Sequence, residues 1–88
     1  DLRAWLMAAA PLESTERADV AERAYVAATR RWPDQPLAWT ALGNARYAQQ
    51  DHDGAAAAWK EALQRDPGFA LARRNLDALA VESGASDP

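Results

Sequence analysis

Apolar residues recur at helical spacing through the middle of the chain. Between 37 and 49 they stand three or four positions apart, at Ala38, Trp39, Leu42, Ala45 and Ala48. A second set follows over 52–65, at Ala55, Ala58, Trp59, Ala62 and Leu63. Such spacing places each set on one face of a helix. Because only the polar stretch 49–54 separates the two sets, the pattern predicts two helices joined by a tight turn.

The residues around these sets indicate where the helices begin and end. Pro36 stands at the start of the first, where its missing N–H costs little. Asp51 is placed to cap the second by accepting a backbone N–H. Pro67 disfavours helical geometry at Asp66, so the second helix should end there. A further helix is predicted over 70–81, followed by a frayed tail over 84–88. Leu71, Leu76 and Leu79 should face the preceding helices, whereas Arg73, Arg74, Asp77 and Glu82 should face water.

The chain repeats itself with a period of 34 residues. Displacing it by that length superimposes Trp5 on Trp39, Asp19 on Asp53, Tyr25 on Trp59, and Pro33 on Pro67. Tryptophan, aspartate and proline matches are informative even in a chain with 23 alanines. A fixed period of this size is typical of solenoids built from repeated helical pairs.

The earlier copy is degenerate in its first half. Pro11 interrupts the run of alanines at 8–10, and a proline inside a helix removes a hydrogen bond and clashes with the preceding turn. The first helix should therefore end or kink near Ala10. Ser14 or Thr15 should then cap the second helix.

The better copy resembles the tetratricopeptide repeat family. The resemblance is carried by Trp39-x2-Leu42-Gly43-x3-Tyr47 and then Ala55-x3-Trp59-x2-Ala62-x4-Pro67. Gly43 and Ala55 stand where the two helices of a repeat cross, and a bulky residue would overpack the crossing. Three positions depart from the family pattern. Arg46 replaces an aromatic residue, Gln50 the usual turn glycine, and His52 a tyrosine.

This resemblance implies an all-α fold, a short α-solenoid of two tetratricopeptide helix-turn-helix repeats with a C-terminal capping helix, five helices in total. The expected units are a degenerate first repeat over 1–35 and a well-matched repeat over 36–69. A capping helix over 70–83 should bury the last apolar face, because each repeat packs only against its neighbours. The tail over 84–88 completes the chain.

Composition narrows the classes of function. The 88 residues include 10 Lys and Arg against 13 Asp and Glu, a net charge of −3, which argues against nucleic-acid binding. Cysteine is absent, and no apolar run is long enough to span a membrane. Only one of the ten cations is lysine, an arginine bias that suggests a bacterial genome.

No catalytic, metal or cofactor site is predicted. His52 is the sole histidine and has no companion ligand or nucleophile, so we interpret it as a packing residue at a helix start. Asp51 and Asp53 are better explained by helix capping than by calcium, which takes six or more oxygen ligands. Trp5, Trp39 and Trp59 occupy packing positions, whereas Trp32 either covers the seam between repeats or is exposed.

The family resemblance implies a concave groove that binds extended peptides. The candidate peptide-binding residues are Arg3, Leu37, Thr40, Asn44, Tyr47, Leu71, Arg74 and Asn75. A carboxamide both donates and accepts, so Asn44 and Asn75 could pair with peptide backbone, and Arg74 could hold a carboxylate. The family's carboxylate clamp matches at both asparagines, but Leu6 and Thr40 occupy its lysine positions. A groove of other specificity, and a groove without a ligand, stay open as alternatives.

The expected function is therefore protein–protein interaction without catalysis, with another protein or peptide as partner and no insertion into a membrane. A second interpretation is an accessory module of a larger bacterial enzyme. Residues 5–10, 21–25 and 31–33 resemble the C-terminal repeats of bacteriocin-processing, papain-like cysteine peptidases. A third is a homodimer, formed through the first helix by Leu2, Leu6 and Met7.

Overall fold

A computed structural model describes residues 2–4 and 17–83 of the chain. Residues 2–4 are helical, and four helices follow, α1 (Ala18–Arg31), α2 (Pro36–Ala48), α3 (His52–Arg65) and α4 (Ala70–Ser83). The described part of the chain contains no strand, so the predicted all-α helical-repeat fold is confirmed. The predicted break at Pro11 and the tail over 84–88 lie outside the described residues.

The helices begin for the reasons that the sequence indicates. Pro36 occupies the first turn of α2. The Asp51 carboxylate accepts a hydrogen bond of 3.0 Å from the Gly54 N–H and caps α3, as predicted. At α1 the N-cap residue is Arg17, whose side chain makes no capping bond. Ser14 and Thr15, which were predicted to cap this helix, lie outside the described residues.

Helices that are neighbours in the chain pack against one another, α1 on α2, α2 on α3 and α3 on α4. Short connections between consecutive helices make each pair antiparallel. The first cluster of buried side chains joins three helices, with Tyr25 from α1, Leu42 from α2 and Ala58 from α3. Tyr25 supplies bulk that the surrounding alanines lack, and only 1% of it is exposed. Alanine on the facing surfaces lets these helices approach closely.

The second cluster joins α3 to α4. It contains Trp59 from α3 together with Ala72 and Leu79 from α4, and Leu76 packs against it. The expectation that Leu71 faces the preceding helices is wrong, because 47% of that residue is exposed. Residues 72, 76 and 79 share one face of the helix, and Leu71 is rotated away from it by about 100°.

Gly43 lies directly beneath the indole of Trp59. A Cβ atom at this position would come within 2.8 Å of Trp59 Cε2 and closer still to Nε1 and Cδ1. Real Cβ atoms do not occupy such positions, so only glycine permits this helix crossing. The predicted role of Gly43 is therefore confirmed.

The turn between α2 and α3 holds Gln50 in the left-handed region, with φ at 68°. The Gln50 N–H donates to Tyr47 O at 2.9 Å, and the Asp51 N–H donates to Arg46 O at 3.0 Å. These two bonds form the Schellman motif that ends many helices, in which glycine is the usual left-handed residue. The departure noted at Gln50 is thus a glutamine in a glycine conformation.

Polar contacts join the turns to the helices around them. The carbonyl of Pro33 accepts from Trp39 Nε1 at 3.0 Å and from Arg65 Nε at 2.9 Å. The Arg65 guanidinium also lies 4.5 Å from the Trp39 ring centroid. Arg46 pairs with Glu22 of α1 at 3.1 Å and donates to Gly54 O at 3.3 Å. These contacts tie the α1–α2 turn to the end of α3, and α1 to the start of α3.

The N-terminal residues contribute to a third cluster. Leu2 is buried with Ala28 of α1 and Ala38 of α2, and Trp32 packs against them half-buried. Trp32 therefore covers the seam between α1 and α2, one of its two predicted positions. Leu2 is not part of an open face on which a second copy could pair, which corrects that expectation. Leu6 and Met7 lie outside the described residues.

Replacing Gly43 by alanine should destabilise the fold. Alanine favours a helix over glycine by about 1 kcal/mol, but overpacking costs about 1–3 kcal/mol, and here the indole must also move from its hydrogen bonds. We expect Gly43→Ala to lower the free energy of unfolding by roughly 1–2 kcal/mol in urea titrations. The control is Gly68→Ala, whose Cβ would meet only Asp66 Oδ1 at 3.6 Å. Equal stability of the two variants would contradict the assigned packing.

Replacing Gln50 by glycine should stabilise the fold. A left-handed residue with a Cβ costs about 1–2 kcal/mol, and the greater chain entropy of glycine cancels about half of the gain. We expect Gln50→Gly to raise the Tm by roughly 2–8 °C in thermal melts followed by circular dichroism. The control is Gln49→Gly, since Gln49 has an ordinary φ of −90° and should show no gain. An unchanged or lower Tm for Gln50→Gly would show that the backbone at Gln50 is not strained.

Candidate functional site

A small pocket lies between α2 and α4, with α3 at its base. Its volume is about 160 Å³. The lining residues come from all three helices and are Asn44, Tyr47, Trp59, Asn75, Ala78 and Glu82. Polar side chains over an aromatic wall give this pocket both directional hydrogen bonding and apolar contact.

Helical spacing explains why these residues converge. Asn44 and Tyr47 lie three apart on α2 and share one face of it. On α4, Asn75 and Glu82 lie seven residues apart, two turns along a common face, with Ala78 between them. Packing of Ala72 and Leu79 against α3 turns that face towards α2. The pocket therefore exists only because α4 docks on α3.

Trp59 organises a chain of hydrogen bonds along one wall of the pocket. Its indole N–H donates to Thr40 O at 3.1 Å and to Asn44 Oδ1 at 3.3 Å. Asn75 Nδ2 donates to the same Asn44 oxygen at 3.0 Å. An indole nitrogen is only a donor, so the atom that faces it must be the oxygen of Asn44. That oxygen in turn requires the amino group of Asn75, so Trp59 sets the orientation of both amides.

Tyr47 and Glu82 form the opposite wall. The Tyr47 hydroxyl lies 2.5 Å and 2.6 Å from the two oxygens of the Glu82 carboxylate and donates to it. This hydrogen bond raises the pKa of Tyr47 above its usual value of 10.0, and desolvation and the charge of Glu82 act in the same direction. The imidazole of His52 stacks on the Tyr47 ring with centroids 5.3 Å apart. His52 thus packs against an aromatic residue, as expected for its position.

The structure brings three of the candidate peptide-binding residues together, namely Asn44, Tyr47 and Asn75. Leu37 is half-buried against the third cluster, away from the pocket. The remaining exposed candidates, none of which lines the pocket, are Arg3, Leu71 and Arg74.

Thr40 is wrongly placed by the sequence prediction. It is 2% exposed, and its hydroxyl donates to Pro36 O at 2.9 Å. α2 packs against both α1 and α3, so a larger part of its circumference is buried than one apolar stripe indicates. Thr40 contributes to the site only through its carbonyl, which holds the indole of Trp59.

Glu82 was missed as a site residue. The sequence predicted that it faces water, and it is exposed, but it also bonds to Tyr47 across the gap between α4 and α2. Its position seven residues after Asn75 on the same helix was the available signal. That signal does not reveal that Tyr47 lies opposite, because Tyr47 is 35 residues away in sequence.

No group of three or more His, Cys, Asp or Glu side chains that could hold a metal ion occurs within residues 2–4 and 17–83. Over the same residues, no helix combines the length and the apolar character that a membrane span requires.

Comparison with known protein families shows which family the chain belongs to. A family model described as tetratricopeptide repeat matches residues 6–70 of the 88, which include all of α1 to α3 and most of the region of the degenerate first copy. The chain belongs to the tetratricopeptide repeat family. Tetratricopeptide repeats are non-catalytic modules that bind other proteins, so protein–protein interaction is the general function of this chain.

A curated relative agrees with this assignment. The chain is 45% identical over 40 residues to the anaphase-promoting complex subunit CDC27 of Saccharomyces cerevisiae. The match covers 46% of this chain and 5% of that protein, so the chain spans a small fraction of its relative's length. No solved structure matches the chain. The resemblance to peptidase repeats and the bacterial origin stay predictions.

Removing the Glu82 carboxylate should lower the pKa of Tyr47. The hydrogen bond and the charge of Glu82 both favour the protonated phenol, so Glu82→Gln should bring the pKa back towards the usual value. The measurement is a pH titration of ¹³Cζ-labelled tyrosine by NMR. The control is Asp77→Asn, which removes an exposed acid from the same helix. An unchanged Tyr47 pKa in Glu82→Gln would show that the hydrogen bond is not formed in solution.

Proposed function

We propose that this tetratricopeptide repeat unit binds an extended segment of a partner protein along the face shared by α2 and α4. The observation that carries the proposal is the pocket in which Asn44, Tyr47 and Asn75 meet over the Trp59 ring. These side chains come from two helices that are separate in sequence, and the indole of Trp59 holds both amides in fixed orientations.

The amide chain leaves hydrogen-bonding groups that suit a peptide backbone. Asn44 uses its oxygen within the protein, and its amino group lies outside this chain of bonds. Asn75 uses an N–H of its amino group within the protein, and its oxygen takes no part in this chain of bonds. An extended peptide presents both N–H and C=O groups, so one donor and one acceptor on neighbouring helices match its needs. Because the amides are already oriented, less side-chain entropy is lost on binding.

The relative in yeast supports an assembly role. CDC27 is named as a subunit of a multiprotein complex, and the matched 40 residues span about half of the present chain. Shared repeats favour a shared class of function, which is contact with another protein. The partner itself is not carried over, since the match covers 5% of that relative.

Affinity purification from an extract of the source cells, read by quantitative mass spectrometry, tests the proposal. The bait is this chain, compared with Asn44→Ala/Asn75→Ala. The matched control is Lys60→Ala/Gln64→Ala, two exposed positions on α3 outside the pocket. We expect a partner retained by the parent and the control and reduced at least about tenfold with the pocket variant, a loss of about 1.4 kcal/mol.

Each bait must be folded for this comparison. Circular dichroism melts measure whether each bait is folded. We expect the pocket variant to fold, because the Trp59 indole keeps its bond to Thr40 O when Asn44 is lost. A partner that binds a folded pocket variant as well as it binds the parent would place the binding surface elsewhere and refute the groove.

Self-association is the second candidate function, and a specific observation favours it. Leu71 and Val81 of α4 are the two large hydrophobic residues exposed in the described part of the chain, at 47% and 72%. Sedimentation velocity over a range of concentrations tests pairing of α4 with a second copy. Val81→Glu should abolish any dimer, and a monomer at every concentration in the parent would eliminate this candidate.

A further inference from the structure

Several strong hydrogen-bond acceptors face the pocket. The Trp59 N–H is directed to Thr40 O and Asn44 Oδ1, and the Asn75 amino group is directed to Asn44 Oδ1. The Trp59 N–H and one N–H of Asn75 are thus used within the protein. Asn75 therefore offers its oxygen and the second N–H of its amino group, and the Asn44 amino group is also outside these bonds.

Glu82 adds the strongest acceptor. A carboxylate has about four lone-pair positions, and the Tyr47 hydroxyl supplies one proton to both oxygens. The contact with Tyr47 therefore uses only part of the hydrogen-bond-accepting capacity of this carboxylate. The Tyr47 oxygen, having donated its proton, can accept as well. The carboxylate is also held in place, since both of its oxygens lie within 2.6 Å of the hydroxyl.

The charge of the lining has one sign. Glu82 is the only acidic residue among the six lining residues, and neither lysine nor arginine is among them. A carboxylate ligand would therefore meet a like charge in the pocket. The family's carboxylate clamp, which this chain matches at both asparagines, instead uses lysines to attract a carboxylate. Thr40 occupies one of those lysine positions here, and it is buried.

We propose that the pocket selects a lysine or arginine side chain of the bound partner segment, with Glu82 as the residue that determines this specificity. The proposal rests on the proposed function of the α2–α4 face and adds the chemical class of its ligand. The ammonium or guanidinium group would lie against the Glu82 carboxylate and the oxygens of Asn75 and Tyr47. Its aliphatic stem would pack on Ala78 and the half-buried Tyr47 ring, and a volume of about 160 Å³ suits one such side-chain end.

The experiment uses an immobilised library of end-blocked octapeptides, probed with the labelled chain. Every peptide is made in three versions, with lysine, norleucine or glutamate at one fixed position and the other positions varied. Norleucine has the length of the lysine stem without its charge, so the comparison isolates the cation. The probes are the parent, Glu82→Gln, and Asp77→Asn as a control of equal charge change on the same helix.

We expect the parent to bind lysine versions about fivefold more tightly than norleucine versions, and glutamate versions least, which corresponds to about 1 kcal/mol for a partly exposed ion pair. Glu82→Gln should lose this preference while still binding the norleucine versions, and Asp77→Asn should keep it. Lysine peptides should also lower the pKa of Tyr47 in the ¹³Cζ titration, because a bound cation opposes the charge of Glu82.

The two proposals fail in different ways. If the parent selects peptides that Asn44→Ala/Asn75→Ala does not bind, but shows no preference among the three versions, the groove function stands and the cation specificity is wrong. If Glu82→Gln and Asp77→Asn weaken lysine binding equally, the effect is one of net charge and Glu82 has no specific role. If the parent selects no peptide in any version, while the affinity purification identifies no partner, both proposals are wrong.

Discussion

The contact between the Trp59 indole and Gly43 is the constraint on which the rest of the structure depends. The absence of a side chain at Gly43 lets the ring lie against the backbone of α2, where its N–H reaches Thr40 O and Asn44 Oδ1. The same ring contributes to the cluster that holds α4. One small residue thus sets the α2–α3 crossing, satisfies a buried indole, and presents the surface on which the last helix docks.

A second set of contacts closes the turns around this crossing. Pro33 O receives hydrogen bonds from Trp39 and Arg65, and Arg46 joins Glu22 to Gly54 O. Within the described residues, no buried side-chain nitrogen or oxygen lacks a hydrogen-bond partner. Because so much of the core is alanine, these directional contacts complement a modest apolar volume and specify how the helices are rotated.

The geometry of the candidate site results from this packing. Trp59 orients Asn44, Asn44 orients Asn75, and the docking of α4 brings Glu82 to Tyr47. The chemistry of the pocket is therefore a consequence of core packing rather than of a local motif. A substitution in the core that shifts the indole would alter which amide atoms face a ligand, even if every lining residue were retained.

The sequence by itself determined the helices of the described region, their order, the capping role of Asp51 and the need for glycine at position 43. Those features are local, because spacing, capping chemistry and side-chain volume act within a helix or at one crossing. Asn44, Tyr47 and Asn75 were also predicted as site residues.

Only the tertiary structure decided which candidate residues meet. Thr40 is buried because α2 packs on two sides, Leu71 is exposed because α4 is rotated to present Ala72, and Glu82 faces Tyr47 across 35 residues of sequence. Helical periodicity gives the face of a residue within its own helix. It does not give the rotation of that helix relative to its neighbours, which the packing of Trp59 and Leu79 sets.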